Sequence, residues 1–143
     1  MKCVKMTRTR CTCDYCGKKN WSKGHMRHHE AHCTKNPHRE CRVCKMVEGE
    51  QKPIAELLAL LPKPQSWEDE YGFVVYHKDT TATVNAALPA LRDACESCPA
   101  CILAALRQKR IPVPLVTDFD FTKEMKSLWN DINEYESRLD MEY

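Results

Sequence analysis

The chain has 143 residues, of which ten are cysteine and six are histidine, against only four glycines and three phenylalanines. This length suits one ordinary domain or two very small ones, and the cysteine content is typical of a chain that depends on more than its apolar core. Periodic apolar residues exclude a fully disordered chain, and no run approaches the roughly 18 consecutive apolar residues of a membrane-spanning helix. Because the chain starts without the apolar core of a secretory signal, we expect an intracellular protein, in the cytoplasm or nucleus, whose reduced cysteines bind metal.

The net charge of +2 is the average of two unlike parts. Residues 1–45 carry twelve Lys and Arg against three acids, a net charge of +9, whereas residues 46–143 carry ten bases against seventeen acids, a net charge of −7. A basic end on an otherwise acidic chain favours contact with nucleic acid or another polyanion. The alternatives are a solvated basic face, or one that docks on the acidic part of the same chain.

The first motif is a pair of cysteines followed by a histidine and a third cysteine. Two residues separate Cys13 from Cys16, twelve separate Cys16 from His29, and three separate His29 from Cys33. A C-x-x-C turn points two thiolates at one metal ion, and His and Cys four positions apart share one face of a helix. These four residues are therefore predicted to close a tetrahedral zinc site, with His28 as an alternative to His29.

Residues 9–33 resemble the two-Cys-two-His ββα zinc finger, with Cys33 in place of the last histidine. In that family an aromatic residue follows the second cysteine at the fourth position, where this chain has Asn20, with Trp21 one residue later. Met26 matches the family's leucine three positions before the first histidine, and we expect Met26 and Trp21 to form the small core. The resemblance implies a short hairpin followed by a helix, a bound Zn²⁺ and DNA as partner.

The resemblance also implies which side chains contact nucleic acid. If the helix reads duplex DNA as in the family, the base-facing positions are Ser22, Gly24, His25 and His28. The expected phosphate contacts are Lys18, Lys19, Lys23 and Arg27. The base-facing set lacks the arginine–guanine and asparagine–adenine pairs that discriminate strongly, and one finger covers only about three base pairs. We therefore do not expect sequence-specific binding by this finger alone, and a protein-binding finger is the rival interpretation.

A second C-x-x-C pair, Cys41 and Cys44, follows a seven-residue segment that is similar to the linker between tandem fingers. The next histidine is His77, too far along the chain to complete a second finger, so the remaining ligands must come from elsewhere. The three remaining candidates are Cys95, Cys98 and Cys101.

We favour Cys98 and Cys101, because Pro99 suits the first turn of the helix that follows and free amides stabilise a thiolate at a helix start. Cys95 is then a spare or alternative ligand. A four-cysteine zinc site of this kind joins segments about fifty residues apart, which stabilises a chain with few large apolar side chains. Two alternatives stay open: an iron–sulfur cluster on the three-cysteine run, and a redox motif at Cys98-Pro-Ala-Cys101.

The acidic part of the chain is predicted to be mostly helical. Apolar spacing predicts helices over residues 53–61, 84–95 and 102–110. Pro89 must start or kink the second of these helices. Between the first two helices, residues 62–70 are predicted to form a polar loop and residues 72–76 a strand or buried turn.

The last predicted helix covers residues 122–140 and carries one apolar stripe. The spacing of this stripe alternates between four and three residues, as in a heptad repeat. The stripe consists of Phe121, Met125, Leu128, Ile132, Tyr135 and Leu139, with Trp129 beside it. It is interpreted either as packing on the protein's own body or as a docking or dimerising face.

No catalytic constellation is present: the sequence lacks a serine elbow, a glycine-rich phosphate loop and an H-E-x-x-H motif, so we expect no enzyme. The predicted fold is small, α-rich α+β, with a ββα-like basic zinc finger over residues 1–36. An acidic helical domain over residues 37–143 follows, held by the second zinc site. The expected function is non-catalytic nucleic-acid binding by a regulator that also binds a protein partner through its last helix. The alternative is a protein-interaction module or enzyme inhibitor in which zinc is purely structural.

Overall fold

A computed structural model of the chain describes residue 3 and residues 7–141, with side chains described up to residue 138. This part of the chain contains six α-helices, one 3-10 turn and two small antiparallel sheets of two strands each, and about half of the chain is helical. The elements in order are β1 (Cys11–Thr12), β2 (Lys19–Asn20), α1 (Lys23–His32), α2 (Arg42–Met46), α3 (Ile54–Leu60), β3 (Ser66–Glu68), β4 (Val74–Tyr76), α4 (Thr80–Ala94), α5 (Pro99–Gln108), the 3-10 turn Val113–Leu115 and α6 (Phe121–Met141). No helix in the described residues is long and apolar enough to cross a lipid bilayer.

The amino-terminal part is a short hairpin followed by helix α1. Strand β1 pairs with β2 in antiparallel register, and Gly17 takes a positive φ of 73° in the turn between them, a conformation that favours glycine. Ser22 caps α1 by accepting a hydrogen bond from the backbone N–H of His25. Met26 is buried against this hairpin as expected. Trp21 is not part of that core, because it is 60% exposed and Arg10 lies over its ring instead.

The larger core is organised around α5. Every residue from Cys101 to Leu106 is buried, as expected for a helix that is apolar on nearly all sides. Helix α3 packs against both α5 and α4, and α6 packs against α5. Leu57 of α3 and Leu91 of α4 are among the most deeply buried side chains of this core.

Two predicted elements need correction. The polar loop predicted over residues 62–70 contains strand β3, which pairs with β4 in an exposed hairpin, and an exposed strand shows no alternating apolar pattern. Helix α4 begins at Thr80, so it does not start at Pro89, which lies inside the helix on its exposed side. Solvent can satisfy the carbonyl that Pro89 leaves without a helical donor.

Helix α6 divides into two halves. Phe121, Met125 and Leu128 in the first half pack on the core, and the carboxylate of Glu124 accepts two hydrogen bonds of 2.7 Å from Arg92 of α4. In the second half, residues 133–138 are all exposed. The stripe therefore packs on the protein's own body over its first half only, and Leu139 lies outside the described side chains.

Two leucine substitutions in α3 test how this helix packs on the core. Leu57→Ala removes a side chain that is 1% exposed and should lower the free energy of unfolding by about 2–5 kcal/mol. Leu60→Ala, at a site 40% exposed, should lower it by about 1 kcal/mol or less. Urea denaturation of the metal-loaded protein measures both, and equal losses would contradict the packing described.

Candidate metal centres

The first candidate centre lies between the hairpin and α1. The ligand atoms of Cys13, Cys16, His29 and Cys33 all lie within 4.8 Å of one another. The Sγ of Cys16 is 3.1 Å from Nε2 of His29. Ligands of one tetrahedral zinc ion, with bonds of about 2.0–2.3 Å, are separated by about 3.3–3.8 Å, so a donor set this compact can hold a single ion.

Backbone hydrogen bonds in the hairpin position the two cysteines of the first centre. The N–H of Cys13 donates to the carbonyl of Lys18 at 2.8 Å, and the N–H of Gly17 donates to the carbonyl of Cys13 at 2.9 Å. Burial opposes ionisation of the Cys16 thiol, but hydrogen bonds to the backbone of Lys18 and to His29 outweigh it and lower the pKa of Cys16 to about 7. The site is therefore prepared to supply a thiolate to a metal.

The last turn of α1 supplies the other two ligands. His29 is half-buried and Cys33, the residue that caps α1, is buried. His28, the alternative ligand, is not in this group: its ring is exposed and contacts Arg42, whose positive charge lowers the pKa of His28 below its ordinary 6.5.

The second candidate centre joins α2 to α5 across the core. The sulfur atoms of Cys41, Cys44, Cys98 and Cys101 are all buried and lie within 4.8 Å of one another. Both the Cys41–Cys98 and the Cys44–Cys101 sulfur pairs are 3.6 Å apart. This is close to the edge of about 3.8 Å for a zinc–thiolate tetrahedron and far from the disulfide bond of about 2.05 Å.

Each cysteine pair of the second centre lies at the start of a helix. Cys41 caps α2, and its sulfur accepts from the N–H of Cys44 at 3.5 Å. Cys98 caps α5, with Pro99 in the first turn as predicted. The side chain of Gln51 braces the first half, since it accepts from the N–H of Cys41 and donates to the carbonyl of Arg39 at 2.8 Å.

The buried sulfurs of the second centre have pKa values shifted in opposite directions. Hydrogen bonds to Cys101 and Cys98 lower the pKa of Cys41, whereas burial raises the pKa of Cys44 to about 12. A cation that binds this group has to displace the thiol protons that remain.

Arg39 is a residue of this centre that sequence reasoning missed. It is 7% exposed, and its guanidinium donates to the sulfur of Cys101 at 3.8 Å. Burial alone would lower the pKa of Arg39, but the sulfurs of Cys41 and Cys101 outweigh it and raise this pKa. A divalent ion with four thiolates has a net charge of −2, which a buried guanidinium partly offsets. The feature of the sequence that could have identified Arg39 is its position two residues before the C-x-x-C pair of Cys41 and Cys44.

The other cysteines lie outside both groups. Cys95 is buried near the second centre, with its sulfur 4.0 Å from the carbonyl of Cys98, and burial raises its pKa to about 11. Cys11 is half-buried in β1, and Cys3 is exposed. The structure thus brings together the eight predicted ligands in two groups of four and leaves Cys95 outside them.

Of the eight positions predicted to contact nucleic acid, seven are exposed: Lys18, Lys19, Lys23, Gly24, His25, Arg27 and His28. Ser22 is half-buried and its hydroxyl caps α1. Lys18, His25 and His28 line a cleft of about 460 Å³ beside the first centre. Lys19, Lys23 and Arg27 do not line this cleft.

The segment between the two centres is bonded to α5. Arg107 donates to the hydroxyl of Thr34 at 2.8 Å, and Gln108 donates to the carbonyls of Thr34 and Asn36, both at 3.0 Å. Asn36 is buried and donates to the carbonyl of Glu30 in α1 at 2.7 Å. These bonds lie at the predicted boundary between residues 36 and 37, and they attach the finger to the helical body.

Comparison with protein-family models, with curated proteins and with solved structures finds no match to this chain.

We expect two metal ions per chain. Cys13→Ala and Cys41→Ala should each reduce the content to one ion, because three ligands are left at the affected site. Cys95→Ala is the matched control and should keep two, since its sulfur lies outside both groups. Native mass spectrometry of protein purified without added metal measures the count. If Cys95→Ala lost an ion, or Cys41→Ala kept both, the ligand assignment would be wrong.

Arg39 should affect how tightly the second ion is held. Arg39→Met removes the buried charge beside Cys41 and Cys101 and should weaken binding of that ion by roughly 10- to 100-fold, the usual effect of losing a partner of a metal ligand. Arg42→Met, an exposed neighbour, should leave it unchanged. Competition with a chromophoric chelator measures the difference, and equal affinities of the two variants would exclude this role.

Proposed function

We propose that this chain is a zinc-stabilised, non-catalytic nucleic-acid-binding protein. The ions are zinc because thiolate and imidazole ligands in tetrahedral groups of four are typical of structural zinc sites. A single ion also suits ligand atoms that all lie within 4.8 Å of one another, better than a larger iron–sulfur cluster does. Four protein ligands leave no open position for a substrate or activated water, which favours a structural role.

The proposal of nucleic-acid binding rests mainly on one observation: within the described residues, the basic side chains of the finger form no ion pairs with the acidic part of the chain. Every ion pair in the described part of the chain lies between residues 50 and 138. The body side chains that bond to the finger include those of Arg42, Arg107 and Gln108, whereas Glu40, an acid, bonds to it through its backbone. An unpaired basic surface of this kind attracts a polyanion. DNA is the partner that the finger resemblance favours, and a regulator is the role that best suits a small non-catalytic binder.

Neutralising the finger should weaken nucleic-acid binding. The variant carries Lys18→Gln, Lys19→Gln, Lys23→Gln and Arg27→Gln. Each lost phosphate contact should reduce the slope of log affinity against log salt by about 0.7 to 0.9, and the wild type should bind more weakly as salt rises. Fluorescence anisotropy with labelled DNA and RNA measures both. No binding of any duplex or single strand by the wild type at low salt would contradict the proposed function.

A second candidate function is binding of a protein partner through α6, and the exposed second half of this helix favours it. Tyr135 is 65% exposed there, and Trp129, just before the middle of the helix, is 47% exposed. In the β3–β4 hairpin, Trp67, Tyr71 and Phe73 are each more than half exposed. Exposed aromatic side chains are enriched at protein interaction sites. A protein-interaction module or enzyme inhibitor is therefore the function left if nucleic acid does not bind.

A further inference from the structure

We propose that a basic groove between the finger and the helical body holds the backbone of a single-stranded nucleic acid. This inference rests on the proposed function and names its binding surface. The groove, called the junction groove here, consists of two adjoining clefts of about 460 and 400 Å³. Lys35 and Arg107 line both clefts and so connect them.

The junction groove collects positive charge from four separate segments. Its cationic side chains are Lys18, Lys35, Arg42, Arg107 and Arg110. Within the described residues no carboxylate lines either cleft, and none of these five cations forms an ion pair. Arg107 and Arg110 belong to the acidic part of the sequence, yet the fold places them beside the finger. Concentrated, unneutralised charge in a concave surface attracts phosphates.

Aromatic rings lie among these cations. His25, His28 and His32 of α1 line the first cleft, and Tyr15, which is 42% exposed, lines the second. Proteins that bind single strands combine a positive groove for the backbone with rings on which bases stack. The junction groove contains both kinds of group.

The same geometry disfavours a duplex in the family's binding mode. Reading a duplex requires a helix free to enter the major groove, about 12 Å wide. Here the base-facing positions His25 and His28 line the cleft, and Arg42 of the body contacts His28. His32 is also occupied, because its Nδ1 bonds the carbonyl of Glu40 at 2.9 Å. The α1 face that would read bases is thus turned toward the body, where a flexible strand fits and a rigid duplex does not.

The test compares two zinc-loaded full-length variants that lose the same charge. Lys18→Gln with Lys35→Gln alters the groove at two side chains that make no hydrogen bond or ion pair within the described residues. Lys78→Gln with Lys126→Gln, two exposed lysines that form no ion pair within the described residues, is the matched control outside the groove. The probes are labelled oligo-dT and oligo-rU of about 16 nucleotides and a hairpin duplex. We expect the groove variant to bind single strands roughly tenfold more weakly at 0.1 M salt, with a salt slope smaller by about 1.4, and the control to change by no more than about twofold.

A second pair of variants separates charge from structure at Arg107. Arg107→Gln removes both the cation and its hydrogen bond to Thr34, whereas Thr34→Val removes only the hydrogen bond. Only Arg107→Gln should weaken binding if the charge contacts phosphate. Equal weakening by both would overturn this contact.

The outcomes separate the junction groove from the proposed function. Equal weakening by the groove variant and its control, or a duplex bound as tightly as a single strand, overturns the groove while nucleic-acid binding stands. No binding of any probe by the wild type overturns both. The oligo-dT and oligo-rU arms distinguish DNA from RNA as the source of the strand.

Discussion

The fold of the helical body depends on four buried sulfur atoms between α2 and α5. The sulfur atoms lie within 4.8 Å of one another, so four thiolates there would repel strongly unless a cation lay at their centre, and Arg39 lies beside them. The two cysteine pairs are about fifty residues apart in sequence, so an ion bound between them would couple metal binding to closure of the core. Because this chain has few large apolar side chains, such a site would add stability that the core alone does not supply.

Helix α5 connects this centre to the rest of the molecule. Its first turn carries Cys98 and Cys101, its middle is buried, and its last turn carries Arg107 and Gln108, which hold the segment leading from the finger. The second centre therefore positions α5, and α5 positions the finger. Loss of the second ion is expected to disturb the junction groove even though none of its ligands lines it.

Folding changes which charged side chains lie near one another. Along the sequence the chain divides into a basic start and an acidic remainder. In the structure, Arg107 from the acidic part lies beside the finger. Acids of that part form ion pairs with bases of the same part, as Glu124 does with Arg92. Folding thus extends the basic surface beyond the finger.

The sequence by itself determined the two candidate ligand groups of four Cys and His residues, and most of the helices, because ligand spacing and apolar periodicity are local properties of the chain. It also identified Cys98 and Cys101 as the partners of the second pair, since Pro99 marks a helix start. Only the tertiary structure revealed the exposed β3–β4 hairpin, the burial of Arg39 and the junction groove. These depend on which segments meet in space, and a count of charges along the chain does not contain that information.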